Sequence, residues 1–289
     1  MKNAITEVKN SIWFITGGSK GLGLHLAKRL LAAGAKVAVT SRSTRGLAEK
    51  LGPNALPLAV NLTDESSVRA AVEQTIAHFG GIDVVVNNAG YGQFGAVEEV
   101  SDAEARANFD VNVFGLLNVV RATLPQLRQQ RSGHLFNVAS IGGLYGSFPG
   151  FGVYCATKFA VAGLSEGLHS DLAGLGVNVT CVYPGYFRTD FLAAGSPAGP
   201  AQEIADYQAA HEIVAQHLGG GIHGNQPGDP DRLADVLMAT ATQSNPPLHL
   251  VLGSDALGLA EQKVEQLRQA LDENRATTVS TDFAAQTVA

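Results

Sequence analysis

Cysteine is almost missing from this sequence: Cys155 and Cys181 are its two occurrences in 289 residues. They are far apart and no C-x-x-C spacing occurs. That excludes a disulfide framework and a cysteine-based metal site, and suits two buried thiols in a reducing compartment. Long apolar runs are missing as well. No stretch of about 18 apolar residues occurs, so no transmembrane helix is expected. The opening MKNAITEVKN has no apolar segment behind a basic start and does not read as a secretory signal. Charge is scarce: 16% of residues are charged and the net charge is −6, which argues against a general nucleic-acid surface. The expectation is a cytoplasmic protein that takes neither membrane nor nucleic acid as partner, with no metal site.

Apolar residues make up 45% of the chain, enough for one large core, and the 33 glycines suit tight turns and close backbone approaches. Short β-rich runs alternate with helical patterns. Strands are expected at 12–16, 36–42, 55–60, 82–88, 133–140, 177–185 and 248–253. Helices are expected after Gly21, at 66–80, 102–130, 152–175 and 229–242, and an amphipathic segment at 256–272. The first helix places Leu24, Ala27, Leu30 and Leu31 on one face and ends at Gly34. Thr63 or Asp64 caps the helix at 66–80, and Pro125 is the expected bend in the long helix. Repeated β-then-α units predict an α/β fold: one Rossmann-like, doubly wound domain, a mostly seven-stranded parallel sheet with helices on both faces. Residues 1–253 form that domain, with a substrate loop at 186–228 where the alternation lapses. Residues 254–289 read as a helical extension with a frayed tail.

Ligands of such sheets bind beyond the carboxyl ends of the strands, and the chemistry-bearing motifs fall there. TGGSKGLG, Thr16 to Gly23, joins a strand to a helix. Gly17, Gly21 and Gly23 allow the backbone to approach a pyrophosphate at the helix N-terminus, with Ser19, Lys20 and Leu22 between them. After the second strand, where a carboxylate would hold an adenosine 2′-hydroxyl, stand Ser41 and Arg42. Arg42 and Lys20, with no acid beside them, point to NADP(H) in preference to NAD(H). Tyr154 and Lys158 are four apart, one above the other on a helix. An ammonium near a phenol favours its ionised form.

Taken in order, Thr16-Gly17-x-x-x-Gly21-x-Gly23, Asn87-Asn88-Ala89-Gly90, Asn112, Ser140, Tyr154-x-x-x-Lys158 and Pro184-Gly185 with Thr189 resemble the short-chain dehydrogenase/reductase family in its usual, non-extended subtype. The motifs cover about residues 10–190. The resemblance implies a dinucleotide held by Asn88, Ala89 and Gly90 on the adenine and ribose side, and by Pro184, Gly185 and Thr189 along the nicotinamide. Asn61-Leu62 stands where the family often has an acid meeting the adenine amino group, and the Asn61 carbonyl is expected to accept the same bond. The resemblance also implies interconversion of a ketone or aldehyde and an alcohol. Tyr154 donates the proton, Ser140 bonds the same oxygen, Lys158 holds the ribose and lowers the phenol, and Asn112 holds a water behind Lys158. Homodimers or homotetramers are what the family implies.

Tyr91, Leu144, Tyr145, Tyr186, Phe187 and Phe191 are candidate walls of a pocket for a small apolar carbonyl or alcohol substrate. Cys155 reads as inert packing, and His25, His78 and His169 as surface or packing residues. Three other readings stay open at this point. One is an NADP(H) sensor without turnover. Another is a nucleotide-dependent epimerase or dehydratase, which would want a larger C-terminal substrate region. The last is a methyltransferase, which would want an acid after the second strand and has no use for a Tyr–Lys pair.

Overall fold

The computed structural model describes residues 5–193, 196–219 and 221–283. Among them lie seven strands: β1 Ile12–Thr16, β2 Lys36–Ser41, β3 Ala55–Ala59, β4 Val84–Asn87, β5 Gly133–Val138, β6 Val177–Pro184 and β7 His249–Leu252. All neighbours pair in parallel, in the order β3-β2-β1-β4-β5-β6-β7. The helices are α1 Gly21–Ala32, α2 Leu47–Leu51, α3 Glu65–Phe79, α4 Asp102–Phe109, α5 Gly115–Gln130, α6 Gly152–Asp171, α7 Gln208–Leu218, α8 Pro230–Ala241 and α9 Ser254–Val279. A parallel sheet needs cover on both faces, so its strands are apolar at successive positions. Trp13, Ile15, Val37, Val39, Val84 and Val86 meet Leu26, Leu30, Leu233 and Leu237 of α1 and α8. Phe14, Ala38 and Val85 meet Val68, Val72, Val119 and Leu127 of α3 and α5. Val161 and Ala162 of α6 close the same side farther along. Strand order reverses between β1 and β4, which opens a crevice at their carboxyl ends.

Local chemistry fixes the element ends. Asp64 caps α3 by accepting from Ser66 N and Ser67 N, and Ser101 and Glu104 form a reciprocal capping box on α4. Gly34 follows α1 at φ +83°, as the sequence requires.

Five elements differ from the sequence reading, the first being the short helix α2, which was not expected. The face α1 buries is Gly23, Leu26, Ala27 and Leu30, with Leu24 and Leu31 at its margin, because the close approach at Gly23 turns the helix. The long helix is interrupted at Asp110–Phe114, a π-turn, and not at Pro125, which α5 accommodates. The segment after β6 contains α7, whose Ile213, Val214 and Leu218 recur at helical spacing. α9 runs to Val279, so Thr277–Val279 are helical where a frayed end was expected; residues 284–289 of that tail lie outside the described residues. Among the described residues no helix is long and apolar enough to cross a membrane.

Candidate active site

At the end of β1 the chain turns through Gly17 (φ +68°) and Gly21 (φ +57°) into α1. A Cβ on Gly17 would lie 2.8 Å from Ala89 Cα, and one on Gly23 would lie 2.6 Å from Asn88 Nδ2 and 2.8 Å from the Gly17 carbonyl. Only glycine permits this packing. Asn88 locks the turn: its Nδ2 donates to the carbonyls of Thr16 (2.9 Å) and Gly17 (3.1 Å). Thr16 Oγ1 accepts from the backbone N–H groups of Asn88 (3.0 Å) and Ala89 (3.1 Å). The N-terminus of α1, which no side chain caps, opens on a cavity lined by Gly17, Ser19, Lys20, Gly21 and Leu22. Free N–H groups and the positive end of the helix dipole make that spot suited to an anion. Gly23 itself lies behind the loop, packed on Asn88.

The same cavity continues past Arg42, Asn61, Leu62, Asn88, Ala89 and Gly90. Arg42 makes no ion pair or hydrogen bond among the described residues. Lys20 is engaged: its Nζ donates to Ser196 Oγ at 2.8 Å, linking the glycine turn to the segment after β6. Asn61 differs from expectation. Its Oδ1 accepts from Thr63 N (3.2 Å) and Thr63 Oγ1 (2.9 Å), so the carbonyl expected to meet adenine is occupied by its own turn.

The first turns of α6 carry Tyr154 and Lys158, both buried. Lys158 Nζ donates to the Val138 carbonyl at the end of β5 (2.9 Å) and sits 5.9 Å from the centroid of the Tyr154 ring. Burial pushes Lys158 down to about 8 and the Tyr154 phenol upward, a hydrogen bond from Ser140 opposing part of that rise. The protein by itself therefore keeps the phenol protonated. The expected lowering by Lys158 does not act on the phenol in the protein alone: the ammonium is turned to Val138, and desolvation dominates the phenol.

Ser140 is placed by the 3₁₀ turn Ile141–Gly143, whose Gly142 N donates to Ser140 Oγ at 3.1 Å. That turn lies hard against α6: a Cβ on Gly143 would fall 2.6 Å from the Lys158 carbonyl oxygen.

Asn112 projects from the π-turn, where the extra residue per turn re-aims a side chain inward. Its Oδ1 accepts from Tyr91 N (3.0 Å), and its Nδ2 donates to Tyr91 O (3.0 Å) and Thr157 Oγ1 (3.0 Å). It clamps the loop after β4 onto α6. A Cβ on Gly90 would lie 2.9 Å from Asn112 Oδ1 and 3.4 Å from Lys158 Nζ, so the loop after β4, the π-turn and α6 converge at that point.

Beyond Tyr154 the cavity, about 560 Å³ in all, turns apolar. Phe94, Phe148, Phe151, Phe191 and Leu192 wall it, and Tyr91, Tyr186 and Phe187 reach it, as do Pro184, Gly185 and Thr189. Tyr154 and Phe191 rings lie 6.0 Å apart. Leu144 and Tyr145 are not in this wall: the 3₁₀ turn carries them toward Val251 and the first turns of α9. Cys155 does reach the cavity, and burial raises its thiol to about 11, so it stays protonated.

One polar pair interrupts the apolar wall. His217 Nδ1 lies 2.7 Å from the Ile213 carbonyl and must donate to it. Nε2 is then the acceptor for the Tyr186 hydroxyl at 2.8 Å. Sequence reasoning passed over His217, Phe94, Phe148 and Phe151. The Phe-Pro-Gly-Phe stretch just before α6 was the available signal for the last two.

The far wall is held by Glu99. Its fully buried carboxylate accepts from Ile204 N (2.7 Å), Ala96 N (2.8 Å) and His211 Nε2 (2.6 Å). These bonds, led by that from Ile204, hold the carboxyl below the usual range.

The short chain dehydrogenase family profile matches residues 11–198. Oxidoreductase BOA17 of Botryotinia fuckeliana is 38% identical over 260 residues, covering 89% of this chain and 93% of that protein. The crystal structure of a short-chain dehydrogenase from Streptomyces avermitilis superposes with a TM-score of 0.86 at 34% identity, over 94% of this chain and 100% of that one. A 3-ketoacyl-(acyl-carrier-protein) reductase from Brucella melitensis, complexed with NADH, superposes with a TM-score of 0.71 at 26% identity, over 85% of this chain and 98% of that one.

Proposed function

The chain belongs to the short chain dehydrogenase family of oxidoreductases, and from that membership we propose that it reduces a ketone or aldehyde on an apolar molecule with NADPH, and runs the reverse oxidation of the alcohol. The observation that carries this reading is one cavity that joins an anion-ready glycine turn to an aromatic pocket, with Tyr154, Ser140 and Lys158 at the junction.

The groove fits a dinucleotide. Gly17 and Gly21 bring the backbone of the turn to the cavity, no side chain caps the α1 N-terminus, and Arg42, beyond β2, forms no ion pair or hydrogen bond among the described residues. NAD(P)H supplies the hydride when bound. This chain's residues then do the following. The α1 N-terminus and the glycine turn hold the pyrophosphate. Arg42 receives the 2′-phosphate, with Lys20 within reach of the same groove. Lys158 holds the ribose hydroxyls, and Asn112 fixes the loop that packs on it. Reduction of the substrate carbonyl would place growing negative charge on its oxygen. Tyr154, kept protonated by burial, transfers its proton there, and Ser140 donates a hydrogen bond to the same oxygen. Phe94, Phe151 and Phe191 exclude water and take the apolar part of the substrate.

The test is a panel of apolar ketones and aldehydes followed by NADPH absorbance at 340 nm. Substrate-dependent oxidation of NADPH with formation of the matching alcohol is expected. Tight NADPH binding with no turnover across aryl, alicyclic and long-chain ketones would leave a dinucleotide-binding protein and end the proposal.

A further inference from the structure

The first turns of α9 rest on the body of the protein, where Ala256 and Ala260 are buried with Ile141. From Glu261 on, every described residue through Phe283 is exposed except Lys263, which is half-buried. Some 19 residues of helix, roughly 28 Å, thus stand free in water. An isolated helix of that length is marginal without a packed face. This one carries an apolar seam that the described residues leave uncovered: Leu257 is 53% exposed, Val264 64%, Leu267 51% and Leu271 63%. Leu257, Val264 and Leu271 are seven apart. Ala260 and Leu267 fall three after the first two, so the five follow a heptad a/d pattern. Gln262, Glu265, Gln266, Gln269, Asp272 and Glu273 occupy the remaining faces. A lipid surface wants a broad apolar face with basic residues opposite. Here the seam is two residues in seven, and from 261 to 279 four acids outnumber three bases. A seam that narrow is built for another helix.

We propose that α9 pairs with α9 of a second copy of this chain, antiparallel about a two-fold axis passing between Glu265 and Gln266. The charges flanking the seam choose the partner and the direction. In register and parallel, Lys263 would face the partner subunit's Arg268, a like-charge contact at both edges, with no attractive pair to offset it. Antiparallel, Val264 packs on the partner subunit's Leu267, while Ala260, covered by the body of its own chain, stays out of the contact. Glu261, which forms no ion pair among the described residues, then meets the partner subunit's Arg268. The two-fold axis repeats each contact, so the surface is complementary to itself. Ala256 ends up roughly 28 Å along the pair from the partner subunit's Ala256, leaving the two bodies toward opposite ends.

The test is disulfide capture with intact protein. Native Cys155 and Cys181 are buried and supply the background in the unsubstituted chain. Val264→Cys and Leu267→Cys chains are prepared separately, mixed and mildly oxidised. The expected product is the mixed disulfide dimer, with little self-dimer of either chain. Rapid self-dimerisation of Val264→Cys without the mixed product would overturn the antiparallel direction, and no dimer in any combination would overturn the seam. Glu261→Arg, placed in both cysteine chains, should cut capture roughly tenfold, two ion pairs being replaced by two like-charge pairs, and adding Arg268→Glu should restore it. Capture indifferent to both changes would overturn the assigned contact. Pelleting of the unsubstituted chain with phosphatidylcholine–phosphatidylserine vesicles, without disulfide capture, would assign the seam to lipid and overturn the proposal.

Discussion

Tyr154 and Lys158 show how two residues on one helix face are driven in opposite directions by a shared burial. The phenol is held neutral, as an acid must be before it acts, while the ammonium is brought down to about 8. Tyr154→Phe removes the transferable proton and leaves the ring packing on Phe191, so turnover should fall roughly 10²–10⁴-fold while NADPH affinity, read by fluorescence titration, stays within a few-fold.

Lys158 carries a cost to the fold. An unfolded lysine binds its proton up to about 10.5 and the native one only to about 8, so at neutral pH the charge weighs against the native state by about 3 kcal/mol. Lys158→Met removes that burden and leaves the Val138 carbonyl without its donor, a loss of about 1 kcal/mol. The variant should be inactive and yet melt a few degrees higher at pH 7. Because the unfolded chain binds the extra proton between the two values, the advantage should be full below pH 8 and shrink as pH rises toward 10.5. Thermal unfolding of both proteins across that range checks the sign. Identity and spacing made Tyr154, Lys158 and Ser140 legible in the sequence. The titration shift of Lys158 was not, because it depends on desolvation that only the closed fold supplies.

At the scale of elements, strands and their glycine ends were read within a residue or two, since continuous apolar runs leave little choice for a doubly covered sheet. The departures are where one residue changes direction. The π-turn at Asp110–Phe114 carries no sequence signature of its own, yet it turns Asn112 onto Tyr91. The 3₁₀ turn at Ile141–Gly143 moves Leu144 and Tyr145 out of the pocket for the same kind of reason. α7 escaped notice because its apolar face is short and two histidines interrupt it. Glu99 ties that region down through Ile204 and His211. Glu99→Gln keeps the shape and loses the charge, so the far wall loosens. The expected result is a several-fold rise in KM for an apolar ketone with kcat changed much less, read by steady-state kinetics. In the folded protein the carboxyl protonates only once pH falls through its depressed native value, so the wild-type KM should hold through the ordinary carboxylate range and rise on further acidification, and that of the variant should not.

For the whole molecule, β-α alternation made a parallel sheet with its ligand beyond the strand carboxyl ends legible, whereas the strand order, and with it the crevice between β1 and β4, emerged only in the structure, because alternation alone does not say on which side of β1 each crossover returns. The proposed preference for NADPH rests on Arg42, a cation lining that cavity which forms no ion pair or hydrogen bond among the described residues. A ligand that binds only the folded chain stabilises it by about 3 kcal/mol at a hundredfold excess over Kd, so NADPH should raise the melting temperature more than NADH at equal concentration. Arg42→Asp should invert that ranking, and an unchanged ranking would remove Arg42 from cofactor choice.

The bond from Lys20 to Ser196 gives that choice a second readout. A phosphate drawn to Lys20 displaces a neutral hydroxyl, because the ionic contact is the stronger of the two. NADPH, but not NADH, would then free the stretch after β6 from the glycine turn. Brief trypsin digestion should nick the chain near Arg188 faster with the phosphorylated dinucleotide bound than with the plain one. The protein would thereby report, in its own cleavage pattern, which reductant it carries.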